Sequence, residues 1–159
     1  MDTALTSACL HKRMDIVKLL LDSGADINLQ SPYAIPPIAA AVSTGSEDLI
    51  RLLISRGASV IPGQRSVCTS LWKSPRKDWT NTLRILLDAG LDANTRDYGG
   101  DSMLHRATAS GAKDAVELLL QHGADVNLRD RRSYTPLYLA SISRRGEIWN
   151  LLKAAGGLE

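Results

Sequence analysis

The sequence predicts an all-α repeat protein, because glycines recur every 33 residues and two short helical patterns precede each of them. The glycines are Gly24, Gly57, Gly90, Gly123 and Gly156, and no insertion interrupts their spacing. A fixed period of this length is the signature of a repeat architecture. We therefore expect five units, each containing one helix pair.

The second helical pattern of each unit lies directly ahead of the glycine. Apolar residues recur there three and four positions apart, which is typical of an amphipathic helix, and glycine is the usual residue just past a helix end. The segments read IVKLLLDSGADIN, LIRLLISRGASV, TLRILLDAGLDAN, AVELLLQHGADVN and, more weakly, IWNLLKAAGG.

The first helical pattern of each unit is shorter and opens with a residue suited to a helix N-cap, followed in two units by proline at the first helical position. These openings also recur every 33 residues, which predicts one helix start in each unit. They are Thr3-Ala4-Leu5, Pro36-Pro37-Ile38, Thr69-Ser70-Leu71, Ser102-Met103-Leu104 and Thr135-Pro136-Leu137.

These motifs resemble the ankyrin repeat family, whose signature runs TPLHxA, a glycine turn, VxLLL and GADVN. The segment DYGGDSMLHRATASGAKDAVELLLQHGADVN matches it best, and the resemblance covers essentially the whole chain. It implies an α-repeat solenoid of stacked helix-turn-helix pairs joined by short β-hairpin fingers. Each pair needs neighbours to cover its apolar face. We expect a single ankyrin repeat domain over residues 1–159, with repeats at about 1–30, 31–63, 64–96, 97–129 and 130–159.

Repeat three is irregular, because Pro75 falls inside its predicted first helix, SLWKSPRKDW. Proline removes a hydrogen bond and clashes within a helix, so we expect this helix to be short or kinked. Two interpretations stay open. The repeat is a decayed copy held by its neighbours, or it forms a reshaped patch that places Trp72 and Trp79 at a partner site.

The last repeat differs where its second helix closes. Earlier repeats carry Leu21, Ile54, Leu87 and Leu120 at this position, whereas the last carries Lys153. A lysine would leave a polar face where a further repeat would dock. This pattern predicts a C-terminal cap.

Composition restricts the class of protein. The net charge is +2, and no apolar run approaches the length of a membrane span. Cys9 and Cys68 lack metal-site spacing and lie two repeats apart, about 20 Å, so we expect two free thiols and a cytoplasmic or nuclear location. Cys9 is predicted to lie in the core, and Cys68 to lie exposed on a finger.

The histidines give no catalytic or metal site. His105 occupies the histidine position of the TPLH motif, and the resemblance implies that its ring bonds the backbone between adjacent repeats. His11 and His122 fall on loops of other repeats, too distant to join it. We expect no cofactor and no metal.

The carboxylates and asparagines have turn roles. No converging pair is evident, so we expect no enzyme. Three asparagines resemble the substrate pattern of an asparaginyl hydroxylase of ankyrin proteins, although a role in connecting successive turns explains them better. The aspartates of the GAD turn are Asp26, Asp92 and Asp125, those that open fingers are Asp97 and Asp130, and the asparagines are Asn28, Asn94 and Asn127.

The family's usual contact positions, the fingertips and the inner-helix ends, define a candidate partner site. Its residues are mostly basic or aromatic, types enriched at interface hot spots. It comprises Tyr33, Arg65, Trp72, Arg76, Lys77, Arg96, Tyr98, Arg129, Arg131, Arg132 and Tyr134, with Ile35 and Asp101 beside them.

These positions predict a monomeric, non-catalytic protein-protein interaction scaffold that binds an acidic peptide or loop on its concave face. The alternative for the basic residues is that arginine is common on solvated loops. Nucleic acid is disfavoured, because the sequence offers no groove-reading helix or stacking platform. The alternative function is a small-molecule-binding protein or an enzyme with a pocket near repeat three.

Overall fold

A computed structural model describes residues 3–29, 35–60, 64–73 and 79–158. Within these ranges the chain forms ten α-helices and no β-strand, which confirms the predicted all-α class. The helices are α1 (Ala4–Leu10), α2 (Met14–Asp22), α3 (Pro37–Thr44), α4 (Glu47–Ser55), α5 (Arg65–Lys73), α6 (Thr80–Asp88), α7 (Met103–Ser110), α8 (Lys113–Gln121), α9 (Pro136–Ile142) and α10 (Gly146–Ala154).

The second helices of the pairs follow the 33-residue period without deviation. Helices α2, α4, α6, α8 and α10 each span nine residues and begin 33 positions apart. The glycine two positions after each helix has a positive φ, from 76° at Gly123 to 100° at Gly90. A side chain would be strained in that conformation, so the periodic glycines mark where each helix must end.

Four first helices begin where their opening residues predicted. The side chains of Thr3, Ser102 and Thr135 each accept a hydrogen bond from the backbone N–H three residues later, at 3.0 to 3.4 Å. Pro36 is the N-cap of α3, and Pro37 stands at its first position. The three hydroxyl caps satisfy donors that would otherwise lack a partner at the starts of α1, α7 and α9.

The core forms from the apolar stripe of the second helices and from contacts between first helices. Leu53, Leu86, Leu119 and Leu152 occupy equivalent positions and are all 0% exposed. The chain divides into two compact units, Met1–Gly90 and Leu91–Glu159. In the first unit α3 packs against α1 and α5, and in the second α9 packs against α7.

The asparagines of the predicted turns connect consecutive turns, as expected. The Asn28 side chain donates to the Gly57 carbonyl at 3.0 Å and accepts from the Ser59 N–H at 2.7 Å. Asn94 and Asn127 each make the same pair of hydrogen bonds to the turn of the repeat that follows them. Each amide therefore fixes the spacing between two turns. The preceding aspartates Asp26, Asp92 and Asp125 accept from the N–H two residues later, which confirms their Asx turns.

Repeat three departs from the predicted register. Its first helix, α5, begins at Arg65, five positions before the start that the period predicts, and spans nine residues. The expected shortening is therefore wrong, and the opening at Thr69 is wrong as well, because Thr69 lies inside the helix. Pro75 lies outside the described residues. Since proline excludes a helix that runs through it, the helical segment is displaced toward the N-terminus.

The displacement also corrects the prediction for Cys68. This residue lies on the buried face of α5 and is 0% exposed, rather than exposed on a finger. Cys9 is buried in α1, as predicted, and burial raises the pKa of its thiol to about 11. Neither cysteine forms a disulfide, as predicted.

Candidate functional site

The predicted partner-site residues fall into three groups. Tyr33, Arg76 and Lys77 lie outside the described residues. Arg65 and Trp72 belong to α5 in the first unit. The remaining six belong to the second unit and lie on its two fingers, where the structure describes their contacts. These six are Arg96, Tyr98, Arg129, Arg131, Arg132 and Tyr134.

Residues of α5 in the first unit differ in exposure. Arg65 is exposed, and Trp72 is partly buried. The rings of Trp72 and Trp79 meet edge to face, with centroids 4.6 Å apart, and Trp79 is 8% exposed. The two tryptophans thus pack against each other.

The fingers of the second unit are tight turns closed by backbone hydrogen bonds. The Asp97 N–H donates to the Asp101 carbonyl at 2.9 Å, and a single β-bridge joins Arg96 to Ser102. In the next finger the Asp130 N–H donates to the Tyr134 carbonyl at 3.0 Å. Each aspartate side chain also accepts a backbone N–H of its own turn, which confirms the turn roles predicted for both.

Arginine side chains connect the two fingers. Arg96 donates to the carbonyl of Arg129 at 2.6 Å, and Arg131 donates to the carbonyl of Tyr98 at 2.7 Å. Arg129 donates within its own finger, to the Ser133 carbonyl at 2.8 Å. Carbonyl oxygens carry no formal charge, so these arginines hold the fingers in place while each keeps its positive charge.

Arg106 is a residue of the site that sequence analysis missed. Its Nε and Nη2 atoms lie 3.0 and 2.7 Å from Oδ2 of Asp97, and Nη2 lies 3.1 Å from Asp101. The Asp97 side chain is only 4% exposed, so this ion pair joins a buried carboxylate to helix α7. The signal was available, because Arg106 fills the variable position of the TPLHxA motif on the helix that follows the finger.

The first helices α7 and α9, together with the fingers of the second unit, line a groove of about 450 Å³. Charged groups of the fingers and Arg106 of α7 line one part of it, and apolar side chains of α7 and α9 line another. The lining residues are Gly99, Asp101, His105, Arg106, Ala109, Asp130, Arg131, Arg132, Tyr134, Leu139 and Ile142.

The apolar side of this groove was not predicted either. Ile142 lines the groove and is 55% exposed, and Tyr138, which lies beside the groove rather than in its lining, is 37% exposed. They lie four residues apart on α9 and so share one face of the helix. The rings of Tyr134 and Tyr138 lie 4.6 Å apart, which extends the surface toward the finger. Tyr138 lies 33 residues after His105 and so occupies the equivalent position of the next repeat. This equivalence was the sequence signal that could have identified Tyr138 as a residue of the site.

Arg132 presents an exposed guanidinium in the lining of the groove. Its backbone N–H donates to Asp130, but its side chain makes no hydrogen bond or ion pair with any described residue. Arg131 uses one donor on Tyr98 and stays exposed. Donors therefore remain for a bound group on this finger.

His105 has the structural role that the sequence predicted. The Ser102 N–H lies 3.3 Å from Nδ1, which makes Nδ1 an acceptor and leaves Nε2–H to donate to the Tyr134 carbonyl at 2.9 Å. Burial lowers the pKa of this ring, although the hydrogen bond to Tyr134 opposes that effect. Neutral His105 thus connects the start of α7 to the next finger.

The described residues contain neither a metal-type cluster nor a membrane-spanning helix. No cluster of three or more histidine, cysteine, aspartate or glutamate residues there has the arrangement of a metal site. None of the helices in the described ranges is long and apolar enough to cross a bilayer.

Comparison with known proteins agrees with the resemblance seen in the sequence. The family model for ankyrin repeats (3 copies) matches residues 1–64, 38–130 and 80–157. The chain is 33% identical over 140 residues to human neurogenic locus notch homolog protein 1, and 31% identical over 148 residues to mouse B-cell lymphoma 3 protein homolog. The matches cover 87% and 90% of this chain, but only 6% and 33% of those relatives.

Proposed function

We propose a protein-binding role for this chain, which belongs to the ankyrin repeat family. The family consists of protein-interaction domains that are generally not enzymes. The observation that supports the proposal is the groove of the second unit, where two inner helices and a finger leave both charged donors and apolar surface open to a partner.

The charge of this region favours an acidic partner. Guanidinium groups outnumber carboxylates by five to three around the fingers and α7. Arg106 is offset by its carboxylate partners, whereas the arginines bonded to carbonyls keep their full charge. A positive surface of this kind raises the association rate of acidic ligands. The arginines are Arg96, Arg106, Arg129, Arg131 and Arg132, and the aspartates are Asp97, Asp101 and Asp130.

The groove favours binding over catalysis. Both ring nitrogens of His105 are engaged with Ser102 and the Tyr134 carbonyl, so this ring is not placed to act as a general base. Asp130 accepts backbone N–H groups of its own finger. We therefore propose a monomeric, non-catalytic scaffold of the cytoplasm or nucleus that binds an acidic peptide or loop rather than nucleic acid.

Charge reversal at Arg132 tests the acidic partner. We expect Arg132→Glu to slow association with a fluorescein-labelled oligo-glutamate peptide roughly fivefold at low salt and to flatten the salt dependence of the rate, because steering acts on association. Folding should not change, since exposed charges contribute little to stability. Stopped-flow fluorescence over a salt series measures both quantities.

Lys153→Glu is the matched control for this experiment. It makes the same charge change at an exposed residue of α10, in the same unit but outside the groove. Equal effects of the two substitutions would assign the salt dependence to net charge alone. That result would contradict the proposed site.

A further inference from the structure

We infer that the groove of the second unit selects an acidic segment that carries one bulky apolar side chain, with Tyr138 and Ile142 as the residues that bind this side chain. The inference rests on the proposed function and specifies the partner more narrowly. An acidic surface alone would satisfy the arginines but would leave the apolar side of the groove in water.

The first line of support comes from equivalent positions in other inner helices. Ile142 corresponds to Ala109 on α7, to Ser43 on α3 and to Leu10 on α1, which is 36% exposed. Within the second unit, a residue with a four-carbon apolar side chain thus replaces a small one at a site that stays 55% exposed. Since more than half of this side chain stays exposed after folding, that apolar surface remains available to stabilise a complex.

Tyr138 repeats this contrast one turn earlier. Its equivalents are His105, which is 1% exposed, and Ala39, which is 0% exposed. Tyr138 is 37% exposed and packs its ring against Tyr134. Tyrosine combines a large apolar face with a polar tip, which suits a contact at the edge of a wet groove. Tyr138 and Ile142 therefore form a contiguous apolar surface on α9.

The second line of support is the chemistry beside this surface. Arg131 and Arg132 lie on the finger that lines the same groove, and the Arg132 guanidinium has no partner among the residues described. Guanidinium groups bind carboxylates with two parallel hydrogen bonds. A ligand that joins an apolar side chain to flanking carboxylates would satisfy both sides of the groove at once.

The size of the groove limits the apolar group to one side chain. Its volume of about 450 Å³ must hold the side chain, the adjacent backbone and the flanking carboxylates. The carboxylates of Asp101 and Asp130 also line it. They would repel a continuous chain of phosphates more strongly than a peptide whose few carboxylates can lie beside the arginines, so the charge pattern favours a peptide over a nucleic acid.

Three fluorescein-labelled peptides test the inference by fluorescence anisotropy. The first flanks leucine with glutamates, the second replaces the leucine by alanine, and the third keeps the leucine but replaces the glutamates by glutamines. We expect the first peptide to bind roughly tenfold more tightly than the second, as burial of one large side chain implies. We expect the third to lose the salt dependence of binding.

Ile142→Ser should remove the advantage of leucine over alanine while leaving the affinity and the salt dependence of the alanine peptide unchanged. The matched control is Leu19→Ser, which alters a 66% exposed leucine of the first unit. We expect this control to change none of the three affinities. Both residues are exposed, so both variants should keep the circular dichroism spectrum of the wild type.

The outcomes separate this inference from the proposed function. Equal affinities for the leucine and alanine peptides, with salt-dependent binding that Arg132→Glu weakens, would overturn the apolar contact and leave the acidic partner supported. Failure of every glutamate peptide to bind would overturn both. Tighter binding of a single-stranded oligonucleotide than of the leucine peptide would overturn the choice of a peptide.

Discussion

Helices α5 and α7 are first helices of consecutive predicted repeats, yet they begin at different points of the period. The Ser102 cap and the His105 ring fix the start of α7, and Gly111 ends it with a φ of 76°. Helix α5 begins five positions early and ends at Lys73, two residues before Pro75. The comparison teaches that local residues, the cap of α7 and the proline that follows α5, set the register of a first helix and can override the period.

The second helices of the same repeats show no such difference. Helices α6 and α8 span equivalent residues, and Leu86 and Leu119 are both 0% exposed at matching positions. Since a solenoid derives its stability from each repeat and its neighbours, one displaced first helix need not disturb the next helix. The second helix therefore maintains the repeat when the first is altered.

The largest expected effect tests this role of the second helices. We expect Leu86→Ala and Leu119→Ala each to lower the free energy of unfolding by about 3 kcal/mol, because each leaves a cavity in a fully buried site. Urea denaturation followed by circular dichroism measures both values. Leu19→Ala, at an exposed position of α2, is the control and should change stability by less than about 0.5 kcal/mol. A much smaller cost at Leu86 would mean that irregularity spreads from α5 into α6.

The next effect concerns local opening of the two first helices. We expect the local opening that exposes the backbone amides of α5 to cost about 1 kcal/mol less free energy than the corresponding opening of α7. Helix α7 has a capping box and a left-handed glycine at its ends, whereas Pro75 lacks the N–H that would continue α5. Native-state hydrogen exchange with mass spectrometry measures the difference. Equal protection in Val67–Leu71 and Leu104–Thr108 would contradict the interpretation of register and capping.

Most of the fold could be predicted from the sequence because its determinants are local. Periodic glycines, hydroxyl caps and apolar spacing act within a few residues, and the structure confirms them at Thr3, Ser102 and Thr135. The start of α5 could not be predicted from the period, since the exclusion of a helix around Pro75 competes with it. Cys68 was misplaced for the same reason.

The candidate site could be predicted only in part. Its finger arginines follow from the family's contact positions, but their bonds to carbonyls depend on the approach of two fingers that are 33 residues apart in sequence. The apolar surface of Tyr138 and Ile142 depends on exposure, which composition does not reveal. Arg106 was overlooked because its carboxylate partner lies nine residues away, beyond the helix start.

The smallest expected effect is a pH dependence of folding stability that arises from His105 of α7. Burial lowers the pKa of His105 in the folded state relative to its ordinary value of about 6.5. The unfolded chain then binds the proton more readily than the folded chain between these two values. The stability that neutral His105 contributes is therefore fully present above a pH of about 6.5, and it is lost as the pH falls through the pKa of the folded state.

His105→Gln isolates this contribution. Glutamine has no group that titrates near neutral pH, so the variant should be less stable than wild type at pH 7.5, and the gap should narrow on acidification to pH 5.5. Protonation would place a proton on Nδ1, which faces the Ser102 N–H, and so would disrupt the capping box that fixes the start of α7. Thermal denaturation at both pH values measures the gap. A gap that stays constant, or widens, as the pH falls would mean that burial does not hold the ring neutral.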